Sequence, residues 1–116
     1  MSFRFGVALR PEALSDLVPQ VEATEALDYK LVGITESVAL ARDPWMALVI
    51  AAQHTHHVPI GTLVTNPLVR HPMSLAAAAA TLDELAPGRV FTGISTGFSG
   101  VLNLGLRPAT LAYLEE

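Results

Sequence analysis

The chain has no cysteine among its 116 residues, and only 16% of them are charged. Without cysteine there can be no disulfides, no zinc sites built on thiolates and no cysteine nucleophile. The seven Lys and Arg residues are scattered singly, so nothing in the sequence would follow a phosphate backbone. No apolar run reaches the ~18 residues of a membrane helix, and the amino terminus lacks the order of a signal peptide. We therefore expect a cytoplasmic protein with no nucleic-acid or membrane partner.

Half of the chain, 51%, is hydrophobic, which is enough for one domain with a substantial core over residues 1–116. Apolar segments typical of strands begin near residues 3, 31, 58 and 89, and helical patterns lie between them. Strands joined through helices pair in parallel. Two α/β folds fit this alternation: a doubly wound sheet, or a (β/α)₈ barrel of which about four strands would be present.

Proline marks the predicted helices. Asp43-Pro44 predicts a helix start, with an N-cap acceptor followed by proline at the first helical position. Pro19 interrupts the first helical pattern, so that helix either begins near Pro19 or kinks there. The third helix has an alanine run and ends before Pro87-Gly88, and a further helix is predicted from Pro108 to Glu116. The expected apolar face of the third helix consists of Leu75, Ala78, Ala79, Leu82, Leu85 and Ala86.

Polar residues follow the predicted strands at the end where parallel α/β folds build their sites. Glu36 follows the second strand and could accept a proton, or could be a solvated glutamate. Thr65 and Asn66 close the third strand and could contact a planar ligand, although Asn-Pro is also ordinary turn chemistry. Arg70, just before the third helix, could bind an anionic group, or could be a solvated loop arginine beside a capping histidine.

Other chemistries fit the sequence less well. Gly93 to Gly97 matches the serine nucleophile pattern G-x-S-x-G, but no histidine follows it and the next residues are a poor helix start, so a hydrolase is not favoured. Three histidines, at positions 54, 56 and 57, lie at the opposite end of the sheet with unsuitable spacing, so no metal site is expected. No G-x-G-x-x-G follows the first strand, and no phosphate-binding P-loop is present.

The series TNPLVRHP, AAATLDELAPGR, GISTGFSG and NLGLRPATLAYLEE resembles the luciferase-like flavin and deazaflavin oxidoreductases. Within them it is most similar to the branch related to methylenetetrahydromethanopterin reductase. The resemblance covers nearly the whole chain. It implies a (β/α)₈ TIM barrel, usually dimeric, that holds FMN or the deazaflavin coenzyme F-420 at the carboxyl ends of its strands. It also implies hydride transfer or, with FMN, oxygen activation on a small organic substrate.

The resemblance assigns residues to the cofactor. Leu63, Val64, Thr65 and Asn66 would lie against the ring, and Thr96 and Gly97 would border it. Family members can carry a non-proline cis peptide in the first of these segments, usually after a glycine, whose place Leu63 takes here. The loop after the fourth strand often reads G-T-G-D-S in the family, and here Phe98 replaces the acidic residue.

The chain is shorter than such a barrel, which needs roughly 250 residues. A half-barrel exposes two sheet edges and apolar surface. We therefore expect either a truncated piece of an oxidoreductase or a chain that self-associates as a homo-oligomer. The alternative function is a non-catalytic half-barrel that pairs with itself or with a separate second half.

Overall fold

The computed structural model describes residues 2–116 and contains four β-strands and five α-helices in that range. In chain order the elements are β1 (Val7–Leu9), α1 (Leu14–Ala26), β2 (Val32–Ile34), α2 (Pro44–His54), β3 (Ile60–Thr65), α3 (Pro72–Leu85), β4 (Val90–Ile94), α4 (Ser99–Asn103) and α5 (Leu111–Glu115). Strand and helix alternate through β4, as the sequence predicts. Within residues 2–116, no helix combines the length and apolar character that a membrane crossing requires.

The order of the strands decides between the two folds that the sequence left open. β1 pairs with β2, β2 with β3, and β3 with β4, and every pairing is parallel. A doubly wound sheet reverses its strand order at a switch point, whereas barrel strands follow one another in sequence. The sheet is therefore four consecutive strands of a barrel, and the predicted half-barrel is confirmed.

The core lies between the sheet and its helices. Helix α1 packs on α2, and α2 packs on α3, so the three helices form a layer that covers the outer face of the sheet. On the sheet side the core is built from Val32, Ile34 and Ile60, all without solvent exposure. The helices contribute the fully or almost fully buried side chains of Leu17, Val21, Leu48, Ala51 and Leu82.

The inner face of the sheet carries glycine opposite larger side chains. Gly33 pairs with Gly61, which pairs with Phe91 in the next strand. A Cβ atom on Gly33 would lie 2.4 Å from Cβ of Leu63, so the Leu63 side chain occupies the space above Gly33. The strands can therefore carry Leu63 and Phe91 on this face only because their neighbours have no side chain.

Most predicted element bounds agree with the structure, and four details differ. The first strand begins at Val7 and not at residue 3, and Phe3 and Phe5, which precede it, are exposed. Helix α1 begins at Leu14 and continues past Pro19 to Ala26, so the alternative start near Pro19 is wrong. Leu85 is 48% exposed and does not belong to the buried face of α3. The sequence after Gly97 forms the short helix α4, although it looked like a poor helix start.

Two charged side chains hold the amino-terminal end of the sheet. The Glu25 carboxylate, on α1, accepts hydrogen bonds of 2.9 to 3.0 Å from the backbone N–H groups of His56, His57 and Val58. The Arg89 guanidinium, before β4, donates to the carbonyl oxygens of residues 52, 55 and 58 at the end of α2 and beyond. Both side chains satisfy backbone groups that would otherwise lack partners.

Candidate functional site

A cleft of about 430 Å³ lies at the carboxyl ends of the strands. It is bordered by loops that follow all four strands, and this convergence is what a barrel uses to build an active site. The lining residues are Arg10, Thr35, Glu36, Ser37, Leu40, Val64, Asn66, Ser95, Gly97, Phe98, Ser99 and Gly100. Four residues predicted from the sequence, Glu36, Val64, Asn66 and Gly97, therefore meet in one cleft.

A second cavity of similar volume lies at the amino-terminal end of the sheet, between Phe3, Phe5 and the loop before β2. Its charged groups, Asp28 and Lys30, pair with each other at 2.6 Å. Barrels use this end for stability and place their chemistry at the other. The cleft at the carboxyl ends is therefore the candidate site.

Glu36 is placed at the cleft by the end of β2, and its carboxylate is held on both oxygens. Oε1 accepts a hydrogen bond of 2.8 Å from Nε of Arg70, and Oε2 accepts one from the hydroxyl of Thr65. The Glu36 side chain is only 2% exposed. The sequence left open a solvated glutamate at this position, and the burial of the side chain excludes it.

Arg70 joins two carboxylates that come from different parts of the chain. Besides Glu36, its Nη2 donates to Oδ2 of Asp43. Burial by itself would lower the pKa of Arg70, but the hydrogen bond to Glu36 and the negative charge of Asp43 outweigh it and hold the pKa above its usual value. Arg70 is therefore not a solvated loop residue, because its Nε and Nη2 atoms are paired with Glu36 and Asp43.

Asn66 forms the turn that carries the chain from β3 toward α3. Its Oδ1 accepts from the backbone N–H groups of Leu68 and Val69 at 3.1 Å, the turn chemistry that an Asn-Pro pair favours. These two hydrogen bonds use only the side-chain oxygen, so the amide nitrogen keeps two donors for the cleft. Turn formation and ligand contact are thus compatible at Asn66.

Gly97 packs closely against the same side chain. Its φ of +86° is in the region that favours glycine, and a Cβ atom there would lie 3.1 Å from Cγ of Asn66 and 2.4 Å from Val101. Thr96, its neighbour, is half-buried, and its carbonyl accepts from the N–H of Ala109 at 2.8 Å. The close approach brings the backbone after β4 against the end of β3.

The end of β3 is irregular. The peptide bond between Leu63 and Val64 is cis, although Leu63 takes the place of the glycine that usually precedes such a bond in the family, and the β3–β4 register shifts between Thr62 and Thr65. Leu63 is 38% exposed on the inner face of the sheet, and Thr65 is fully buried behind the cleft. Of these predicted residues only Val64 borders the cleft; Leu63 lies on the inner face of the sheet, and Thr65 supports the cleft wall from behind.

The cleft has no arrangement for serine hydrolysis. The Ser95 hydroxyl accepts a hydrogen bond of 3.3 Å from the N–H of Gly97, which is a local turn contact. His71 caps α3 by accepting from the N–H of Met73. The other histidines face glutamates of α1 at the opposite end of the sheet. Among residues 2–116, no group of three or more metal-ligating side chains could hold a metal ion.

At the site, the structure gives three residues a place that the sequence does not predict for them. Oγ1 of Thr35 is buried without a hydrogen-bond partner, although Thr35 borders the cleft. Asp43 was predicted as a helix cap, and Oδ1 does accept from the N–H groups of Trp45 and Met46. The second oxygen of Asp43 pairs with Arg70, and no local sequence signal could have predicted that pairing. Phe98 is 74% exposed at the cleft, where the resemblance expected an acidic residue.

Comparisons with known proteins show which family and fold the chain is similar to. The F420-dependent hydroxymycolic acid dehydrogenase of Mycobacterium tuberculosis is 35% identical over 89 residues, which are 70% of this chain and 25% of that protein. The solved structure of the coenzyme F420 dependent tetrahydromethanopterin reductase from Methanopyrus kandleri matches with a TM-score of 0.85 and 26% identity. That match covers 92% of this chain and 31% of the reductase chain.

A third similar structure has the same fold at 19% identity. It is the oxygenating constituent of 3,6-diketocamphane monooxygenase from Pseudomonas putida in complex with FMN, with a TM-score of 0.73 over 84% of this chain and 31% of that chain. The chain spans a quarter or less of the length of the curated relatives it matches. The family model described as luciferase-like monooxygenase matches residues 1–112. The chain therefore belongs to the luciferase-like monooxygenase family.

Proposed function

We propose that this chain forms one wall of the active site of an oxidoreductase that uses the deazaflavin coenzyme F-420 or FMN. The observation that carries the proposal is the meeting of Val64 and Asn66, at the end of β3, with Gly97, after β4, in one cleft at the carboxyl ends of the strands. Barrels of this type place their ligands at this end. When bound, such a cofactor supplies the hydride-transfer chemistry, and the protein orients it.

The residues of the cleft suit a flat ring with polar edges. Val64 supplies an apolar surface in the cleft, the partly exposed Leu63 extends that surface onto the inner face of the sheet, and the amide nitrogen of Asn66 supplies two donors. Thr96 and Gly97 bring backbone to the border of the cleft, because Gly97 has no side chain and can pack directly against Asn66 and Val101. The unpartnered hydroxyl of Thr35 is a further polar group at the cleft. These residues fit a flavin-type ring, and we propose that they contact it.

We propose Glu36 as the acidic residue of the site. Its carboxylate borders the cleft, and its orientation is fixed by Thr65 and Arg70. A carboxylate held in this way can orient the ligand or exchange a proton with it only along the direction that the two partners leave open. Replacement by glutamine keeps the shape and removes the charge, so it separates these two roles.

Of the two cofactors, we propose that the chain binds the deazaflavin. The dehydrogenase at 35% identity and the reductase at 26% identity are both described as F420-dependent, whereas the FMN complex is similar at 19% identity. The substrate is proposed only as a small organic molecule, since the cleft is small and relatives of this family act on different compounds. The runner-up function is a non-catalytic half-barrel that associates through its exposed inner face, where Leu63 is 38% exposed.

The test is a fluorescence titration of the 116-residue chain with coenzyme F-420 and, separately, with FMN. We expect saturable binding that is tighter for the deazaflavin. The variant Gly97→Ala should weaken binding at least about tenfold, because a Cβ atom would meet Val101 and Asn66 in a strained backbone conformation.

The matched control is Gly105→Ala, which shares a positive φ, +73°, but does not border the cleft, and where a Cβ atom meets nothing within 4 Å. It should bind as the unmodified chain does. If neither cofactor binds while the circular dichroism spectrum shows a folded chain, the proposal is wrong for this chain and the non-catalytic half-barrel is favoured.

A further inference from the structure

A cluster of four side chains lies directly behind the cleft wall: Glu36, Asp43, Thr65 and Arg70, called here the Arg70 cluster. Its members come from the end of β2, the start of α2, the end of β3 and the turn before α3. Each contact in it joins residues that are 27 to 34 positions apart in the sequence. The cluster therefore joins four elements that are distant in the sequence and meet behind the cleft.

Arg70 uses two different nitrogen atoms for its two partners. Nε donates to Glu36 at 2.8 Å and Nη2 donates to Asp43. A planar guanidinium with fixed donor directions can serve two carboxylates at once, which a lysine ammonium on a flexible chain does much less well. Asp43 in turn caps α2 through its other oxygen, so Arg70 also fixes the start of that helix.

The chain of contacts continues into the cleft wall. The Thr65 hydroxyl donates to the second oxygen of Glu36, and the Thr65 carbonyl accepts from the N–H of Ser95 at 2.9 Å. Thr65 lies between two residues that border the cleft, Val64 and Asn66. A displacement of Glu36 would therefore be passed through Thr65 to both cleft residues and to the loop after β4.

We infer that Arg70 is a positioning residue and not a ligand for a substrate anion. By joining Glu36 to Asp43 it holds Glu36, and through Glu36 it holds Thr65 and the end of β3 in the place that the ring-binding wall requires. The inference deepens the proposed function and rests on it only for the identity of the ligand, since the positioning effect exists in the chain without any cofactor.

Amide hydrogen exchange of the 116-residue chain, followed residue by residue by NMR, tests the inference without a cofactor. The amides of Ser95, Leu68 and Val69 report on the end of β3, because they donate to Thr65 or to Asn66. The amide of Ile60, which donates to the carbonyl of residue 89 at 2.9 Å, reports on the other end of the same strand.

In the variant Arg70→Met, we expect exchange at Ser95 and Val69 to rise at least about tenfold relative to Ile60, because the opening is local. Arg70→Lys should give a smaller rise, since one carboxylate can still be paired. Thr65→Val should increase exchange at Ser95 in the same way and add little to the effect of Arg70→Met in the double variant, because both act through Glu36.

The control is Arg10→Met. Arg10 borders the same cleft but pairs only with the exposed carboxylate of Glu12, so its replacement should leave the three reporter amides unchanged. Two outcomes overturn the inference. In one, the reporters and Ile60 speed up equally in Arg70→Met, which means that Arg70 only adds global stability. In the other, the reporters stay within about twofold of the unmodified chain.

A titration with inorganic phosphate tests the alternative role of Arg70, which is to bind an anion. If Arg70 is a positioning residue, phosphate leaves the NMR signal of the Arg70 Nε–H in place, and a saturable shift of that signal overturns the inference. A titration with coenzyme F-420 then separates the two proposals. Loss of positioning in Arg70→Met together with no cofactor binding by the unmodified chain would refute the proposed function and leave the positioning role intact.

Discussion

At the scale of single residues, the charged side chains with long-range contacts in residues 2–116 hold backbone and loops in place. Glu25 binds three consecutive backbone N–H groups, Arg89 binds carbonyl oxygens at the end of α2, and Arg70 joins two carboxylates behind the cleft. A buried charge is tolerated when its hydrogen-bonding capacity is used. Each of these residues therefore makes a definite prediction for stability.

Glu25 should make the stability of the fold depend on acid pH. Burial opposes ionisation, but the backbone N–H groups of His57, Val58 and His56 lower the pKa of Glu25 to about 2, from an ordinary value of 4.5. A lowered folded-state pKa means that the stabilisation is complete above pH 4.5 and is lost as the pH falls toward 2. Urea unfolding at pH 7 and at pH 3 should show this loss in the unmodified chain.

The variant Glu25→Gln should lose about 2 kcal/mol of unfolding free energy at pH 7 and show a weaker dependence below pH 4.5. The control is Glu22→Gln on the same helix, because Glu22 pairs only with His54 and is 55% exposed. An equal pH dependence in the Glu25 and Glu22 variants would contradict the assignment.

Arg89 should contribute more to the unfolding free energy than an ordinary surface arginine does. Its guanidinium donates to the carbonyls of Ala52 and Thr55 and to the hydroxyl of Thr55, groups that end α2 and would be left without donors. Arg89→Met should lower the unfolding free energy by about 2–3 kcal/mol. Arg107→Met, at an exposed position, is the matched control and should change it by less than about 0.5 kcal/mol. Equal effects of the two variants would refute the capping role.

At the scale of elements, capping and close packing fix where helices and strands begin and end. Asp43 and His71 cap α2 and α3, each with proline at the first position. Asp83, near the end of α3, accepts from the N–H of Gly88 and so closes the turn into β4. This contact explains why the aspartate and the Pro-Gly pair occur together in the segment LDELAPG. Between strands, Gly33 and Gly61 leave room on the inner face for the side chains of Leu63 and Phe91.

Gly61 is the position where this packing leaves least room. A Cβ atom there would lie 1.9 Å from the carbonyl oxygen of Phe91, which is backbone of the neighbouring strand and cannot rotate away. Gly61→Ala should therefore separate β3 from β4 and cost at least about 2–3 kcal/mol of unfolding free energy. Gly100→Ala serves as the control, with only ordinary contacts. A Gly61→Ala chain as stable as the control would show that the two strands are not this close.

At the scale of the whole molecule, the half-barrel has two free edges and an uncovered inner face. The edge strands are β1 and β4, and Leu63, Ile94 and Phe98 are exposed at 38%, 45% and 74%. Edges with apolar neighbours favour association between chains. The expected homo-oligomer remains a prediction, and it concerns the 116-residue chain by itself.

Sedimentation over a range of concentrations should show species larger than a single chain. Ile94→Lys, which puts a charge on the edge strand β4, should shift the distribution toward the monomer by about tenfold or more in dissociation constant. Met46→Lys is the control, because Met46 is 70% exposed on α2, which packs between α1 and α3 and not at either edge strand. A single monomeric species at every concentration would rule out self-association.

The sequence by itself determined the features that depend on near neighbours in the chain. The Asp43-Pro44 helix start, the strand Val90 to Ile94 and the turn at Asn66 were all predicted and confirmed. Each of them depends on hydrogen bonds or backbone preferences that span only a few residues. The resemblance carried by the segment from Val64 to Gly97 led to the family, which the match over residues 1–112 confirms.

Only the tertiary structure decided what the polar residues near the cleft contact. Arg70 could have been a free anion-binding side chain, and its pairing with Glu36 depends on a contact between residues 34 positions apart. Such a contact is set by the register of parallel strands and by the angle at which a helix returns to the sheet, and neither is encoded in a local pattern. For the same reason the sequence placed Leu85 in the core and left α1 uncertain at Pro19, since burial against neighbouring elements settles both.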